Sequence, residues 1–159
     1  MTFPQRSIDR QGSAIGEEVE YVKDGDALLA IIVPANFCES GIRFLTPNDF
    51  SQQLACMHHP AGKKIIPHVH NPVPREVRNT LEVLFIKKGK LRVDFYNERE
   101  EYLRSRLLFG GDAILLVSGG HGFEMLEATS MIEVKQGPYP GEEDKRRFDG
   151  VPLTSIRIE

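Results

Sequence analysis

The stretch Leu81–Tyr96, LEVLFIKKGKLRVDFY, decides the fold. Two runs, Leu81 to Lys87 and Lys90 to Tyr96, flank a turn at Lys88-Gly89. In the second run Leu91, Val93 and Phe95 fall on one face, and Lys90, Arg92 and Asp94 on the other. That alternation has the period of a half-buried β-strand. In the first run Glu82 shares a face with Leu84 and Ile86. A carboxylate on an apolar face needs a partner group or a metal ion. The pair reads as an antiparallel hairpin.

The same punctuation continues in both directions. Upstream, Glu18 to Lys23 and Ala27 to Val33 flank Asp24-Gly25-Asp26, Ile42 to Leu45 stops before Pro47, and Ser51 to His59 stops at Pro60-Ala61-Gly62. Lys64 to His70 reads as a further strand, followed by a Pro-rich insert, Asn71-Pro72-Val73-Pro74, with charges up to Asn79. Downstream come Tyr102 to Phe109, Ala113 to Ser118, Gly122 to Glu127 and Ser130 to Gln136. In the last of these, Ile132 and Val134 face one way, and Met131, Glu133 and Lys135 the other, which would carry polar groups into a cavity. About ten short strands with Gly and Pro turns predict an all-β sandwich or jelly-roll barrel.

The composition bounds the function. The chain has 159 residues, 40% of them hydrophobic, which is enough for one core and one domain. Its net charge of −3 gives no basic excess for nucleic acid or anionic membrane. No apolar run approaches the roughly 18 residues of a membrane span. The N-terminus shows no apolar h-region, and two cysteines, Cys38 and Cys56, make no disulfide framework, so a cytoplasmic location is expected. The boundaries drawn are an N-terminal arm over 1–14, one domain over 15–140 and a charged tail over 141–159. The run Lys145-Arg146-Arg147 follows Glu142-Glu143-Asp144 and reads as self-neutralising surface.

The histidines carry the sharpest local signal. On a strand His68 and His70 would point the same way, so both imidazoles could reach one ion. His58 and His59 are adjacent, would point to opposite faces and are expected outside the site. Gly62 precedes His68 by six positions, Glu82 precedes Gly89 by seven, and Gly111 opens a run that reaches His121. This spacing resembles the first and second motifs of the cupin superfamily over Gln53 to Gln136. The gap from His70 to Glu82 is longer than the motif allows, which the Pro-rich insert accounts for. Glu76 lies nearer to His70 and competes with Glu82. In the second motif Val117 stands where proline is usual, and His121 arrives one residue early. The stretch Met131 to Tyr139 is similar to the ending of WbuC-like cupins, small proteins associated with bacterial surface-polysaccharide gene clusters.

The resemblance implies a cupin-type jelly-roll barrel with a mononuclear divalent metal ion (Zn, Fe, Mn or Ni) held by His68, His70, Glu82 and His121. It implies action on a carbohydrate or nucleotide sugar as an isomerase or epimerase, or an iron-dependent dioxygenase. Glu124 and Glu133 are the candidate bases. Arg75, Arg78, Lys135 and Tyr139 are candidate substrate-binding residues, the arginines as clamps for an anionic group. A module that binds a sugar or small acid without chemistry is the reading from another class. A small-molecule ligand and a homodimer are the expected partners, with neither nucleic acid nor membrane.

Overall fold

The unbroken apolar run ALLAIIV cannot sit on a sheet with a wet face, and it does not. It forms β2 (Ala27–Val33), whose last five residues are buried on both sides. Ala30 and Ile32 enter one core, and Ile31 and Val33 another. The computed structural model describes residues 18–139 and 141–159. The arm expected over 1–14 lies outside the described residues.

Among the described residues there are ten strands. They are β1 (Glu20–Asp24), β2, β3 (Gly41–Phe44), β4 (Ala55–His58), β5 (Glu82–Lys88), β6 (Lys90–Tyr96), β7 (Tyr102–Phe109), β8 (Ala113–Leu116), β9 (Gly120–Met125) and β10 (Ser130–Lys135). A five-stranded sheet has the order β1-β2-β8-β5-β10, a three-stranded sheet the order β7-β6-β9, and β3 pairs with β4 in a ribbon. Every strand pair is antiparallel. The fold is all-β, as expected. Among the described residues the sheets do not close into a barrel.

The layers follow from the alternation. Leu84, Ile86, Ile114 and Leu116 of the larger sheet meet Leu91, Val93, Phe95 and Leu108 of the smaller one. On the opposite face of the larger sheet, Val83 and Leu115 pack with Leu45 and, more loosely, with Leu54 and Cys56 at the ribbon. Cys56 packs there as a small, partly buried hydrophobe.

Two expectations are corrected here. The segment Lys64–His70 forms no strand, and residues 60–80 are exposed throughout. Pro60, Pro67, Pro72 and Pro74 remove backbone donors along this segment, which weakens any ladder it could join. Strand β6 is not half-buried, because Arg92 and Asp94 are only 9% and 6% exposed. Arg92 donates twice to Asp94, at 2.7 and 3.0 Å, and also pairs with Glu124 of β9 at 2.6 Å. Ser105 of β7, fully buried, donates its hydroxyl to the same Asp94. The C-terminal segment lies against this strand: Ser105 N–H donates to Arg157 O at 2.8 Å.

Candidate functional site

At one end of the sandwich the core stripe turns polar. On β5 the inward series Ile86, Leu84 continues to Glu82. On β9, Phe123 is registered against Val93, and His121 against Phe95, so His121 inherits the inward direction of two core residues. On β10, Lys135 lies directly across from Glu82. A cleft of about 1230 Å³ opens there, lined by Glu82, Leu84, His121, Phe123, Met131 and Glu133 among others. That exceeds the roughly 300–1,000 Å³ of a usual small-molecule pocket, so a ligand larger than one sugar ring fits.

Both oxygens of Glu82 are engaged. One lies 3.4 Å from His121 Nε2, and the other 3.1 Å from Lys135 Nζ. The His121 ring, and after it the Lys135 ammonium, hold the Glu82 carboxyl at about 2, far below its usual value, although burial pushes the other way. Lys135 also meets Asp144 at 2.6 Å, and Thr80 donates to Asp144 at 2.8 Å. Its pKa is raised by Asp144 first and Glu82 second, so the amine stays protonated and is no nucleophile. Asp144 is held low by the same Lys135 and by Thr80.

A pH dependence follows. A carboxyl depressed on folding stabilises the native state in full above its ordinary value of 4.5 and loses that contribution as pH falls towards about 2. Unfolding free energy measured by urea titration across this interval is expected to drop less steeply in Glu82→Gln than in the parent chain. Parallel pH profiles would refute the assignment.

Two charges of the tail are paired outside it. Asp144, at the end of a short 3-10 helix (Gly141–Asp144), pairs with Lys135, and Arg146 with Glu100 at 2.7 Å. Lys145 Nζ is 4.0 Å from Glu82. Phe148 packs edge-on against Tyr96, with ring centroids 5.0 Å apart, and the Tyr96 hydroxyl accepts from Val151 N–H. The tail therefore walls the cleft. Sequence reasoning missed Asp144 and Thr80 as site residues. The aromatic Phe148 inside a charged run was the one signal that this segment docks.

The residues expected at the site divide. Glu82, His121, Lys135 and Glu133 come together at the cleft. Arg78 reaches its rim while paired to Glu76 at 3.0 Å. His68 and His70 stand on the exposed segment, rings edge-on at 5.2 Å, and His68 Nδ1 lies 2.9 Å from Ile66 O. Arg75 donates to Val73 O at 3.5 Å. Tyr139 is 72% exposed, with Lys135 Nζ 6.0 Å from its ring centroid. Glu124 points to the other face of β9, where it pairs with Arg92.

As arranged, His68 and His70 are not gathered with Glu82 and His121. Among the described residues no three His, Cys, Asp or Glu side chains gather as a metal set. His121 and the Lys135 cation also take the two Glu82 oxygens. No helix of the described residues is long and apolar enough to cross a membrane. Comparison with protein families, with curated proteins and with solved structures returns no match.

Proposed function

We propose that the protein binds a small polar molecule, a carbohydrate, nucleotide sugar or small organic acid, in the cleft between its two larger sheets, on a cupin-like jelly-roll scaffold. The observation that carries this reading is the ionised Glu82 carboxylate, nearly buried yet facing an open cleft between His121 and Lys135. Such a group accepts from ligand hydroxyls, while the ammonium and the imidazole meet ligand oxygens. Tyr96 and Phe148 supply apolar faces along the wall. Glu133 faces the cleft and is the better placed of the two candidate bases for an isomerase or epimerase.

Ligand-observed NMR with a panel of monosaccharides, sugar phosphates, nucleotide sugars and small acids tests it. Binding is expected in the parent chain and at least tenfold weaker in Glu82→Gln. A panel with no binder, or equal binding by both chains, refutes the reading. Turnover of a bound member would make the protein an enzyme rather than a binding module.

A metal-dependent form of the site is supported by one feature. Among the described residues β9 is an outer strand of its sheet, and His121 stands near its start. An extended segment added along that edge would bring further side chains beside His121. Metal content of untagged protein, measured on the parent chain, His68→Ala and His59→Ala, tests this form. Loss in His68→Ala alone supports it, and equal content in all three refutes it.

A further inference from the structure

Asp144 is seated as a ligand would be. One of its carboxylate oxygens accepts from the Thr80 hydroxyl at 2.8 Å, and the other lies 2.6 Å from Lys135 Nζ. Both donors belong to the sandwich. Thr80 stands just before β5, and Lys135 is on β10, directly across from Glu82. A hydroxyl on one oxygen and an ammonium on the other is a donor set that holds any carboxylate or phosphate. The seat opens on the cleft, which Thr80, Glu82 and Asp144 line together.

The segment that brings Asp144 is tethered lightly. Residues 141–150 contain no strand, and none of those whose burial is described is fully buried. Ahead of Phe148, which packs on Tyr96, Lys145 approaches Glu82 at 4.0 Å and Arg146 pairs with Glu100. The Arg146 side chain is 79% exposed, and ion pairs of that kind add little stability. Gly141, at φ +80° with open space where a Cβ would stand, supplies a hinge upstream. The seat itself is fixed, since Lys135 and Glu82 are registered across two paired strands. Charge is balanced there by Asp144. Lys135 and Lys145 against Glu82 leave one positive charge, which the Asp144 carboxylate cancels and another anion would cancel equally.

We propose that Thr80 and Lys135 form an oxyanion subsite of the cleft, that the chain's own Asp144 fills it, and that a ligand carboxylate or phosphate displaces Asp144 and swings residues 141–147 aside. The inference rests on the binding function proposed above and narrows it to ligands that carry an oxyanion beside the hydroxyls met by Glu82. Asp144 is then an internal competitor. It lowers the affinity for the ligand by the fraction of molecules in which the seat is closed, without touching the ligand. Neutral sugars do not compete for Lys135 and leave the segment in place.

Titration with two probes, inorganic phosphate and acetate, followed by ligand-observed NMR, tests the subsite. Asp144→Asn and Asp144→Ala are each expected to bind one of the probes about tenfold more tightly than the parent chain, as removal of an internal competitor predicts. The tighter probe tells a phosphate-bearing ligand from a carboxylate-bearing one. Adding Lys135→Gln or Thr80→Val to Asp144→Asn is expected to abolish the gain. In the parent chain, saturating probe is expected to speed hydrogen exchange at residues 143–147 and not at β5. Probe binding no tighter in either Asp144 variant than in the parent, or a gain that survives Lys135→Gln, overturns the subsite. Probe binding with unchanged exchange at 143–147 overturns the displacement. Because Glu82 is untouched in these variants, the two readings fail separately. Neutral sugars that bind through Glu82 while both anions are ignored would sink the subsite alone, and anion binding with an empty sugar panel would sink the sugar reading alone.

Discussion

Gly89→Ala is expected to lower the free energy of unfolding by about 3 kcal/mol, the sum of backbone strain and overpacking that such a site incurs. Gly89 closes the β5–β6 hairpin at φ +97°, a region that residues with a Cβ rarely adopt. A Cβ there would stand 2.5 Å from the Ala128 carbonyl oxygen, 2.6 Å from Thr129 Oγ1 and 2.7 Å from Thr129 Cα. Two of those atoms are backbone, so no rotamer change relieves the clash. The carbonyl of Gly89 also accepts from Gly110 N–H at 3.1 Å, which ties the turn to the end of β7. Chemical denaturation measures the loss. A Gly89→Ala chain within about 0.5 kcal/mol of the parent would show that the turn tolerates a side chain, contrary to the usual cost of these mechanisms.

Asp94→Ala is expected to cost a similar amount, about 3 kcal/mol, because it strands a buried charge. Arg92 loses both of its bonds to Asp94 and keeps the half-exposed Glu124. Ser105 loses its carboxylate acceptor in a fully buried position and keeps only the Tyr102 hydroxyl among the described side chains. The damage reaches the tail, since the Ser105 backbone donates to Arg157 O and accepts from Glu159 N–H. Tyr102, whose hydroxyl meets Ser105 Oγ at 2.8 Å, also accepts from Arg157 N–H at 2.8 Å. Faster hydrogen exchange at Arg157 and Glu159 should accompany the loss of stability. Replacing Arg92 and Asp94 together by leucine is expected to recover part of it, as apolar replacements of buried ion pairs often do. A double variant no better than Asp94→Ala would show that Ser105 and Glu124, not Arg92, set the cost.

Much of this architecture was legible. The alternation in Leu81–Tyr96 placed Leu91, Val93 and Phe95 in the core and Glu82 beside Leu84 and Ile86, and both placements hold. The inward set Met131, Glu133 and Lys135 on the last strand was read in the same way. Local period cannot show what covers a strand's second face. Arg92 and Asp94 look like a solvated face until Ser105, Glu124 and the C-terminal segment close over them. Nor can it link Thr80 to Asp144, which are 64 positions apart. The Lys64–His70 strand failed for a local reason: its alternation competes with Pro67 and with prolines on both sides. His68 and His70 are where the resemblance and the observed backbone part company.

The Glu82–His121 contact has one partner on each sheet, so its 3.4 Å separation is a gauge of how far apart the sheets stand. Phe95, registered beside His121, and Leu84, two residues from Glu82, set that spacing from the core side. Under the proposed binding function, binding strength and core packing become one tunable quantity, because a displacement of about 1 Å suffices to degrade a polar constellation. Substitutions that loosen the core near Phe95 should weaken ligand retention at temperatures where the chain is still folded. The cleft would act as an early strain sensor for the sandwich as a whole.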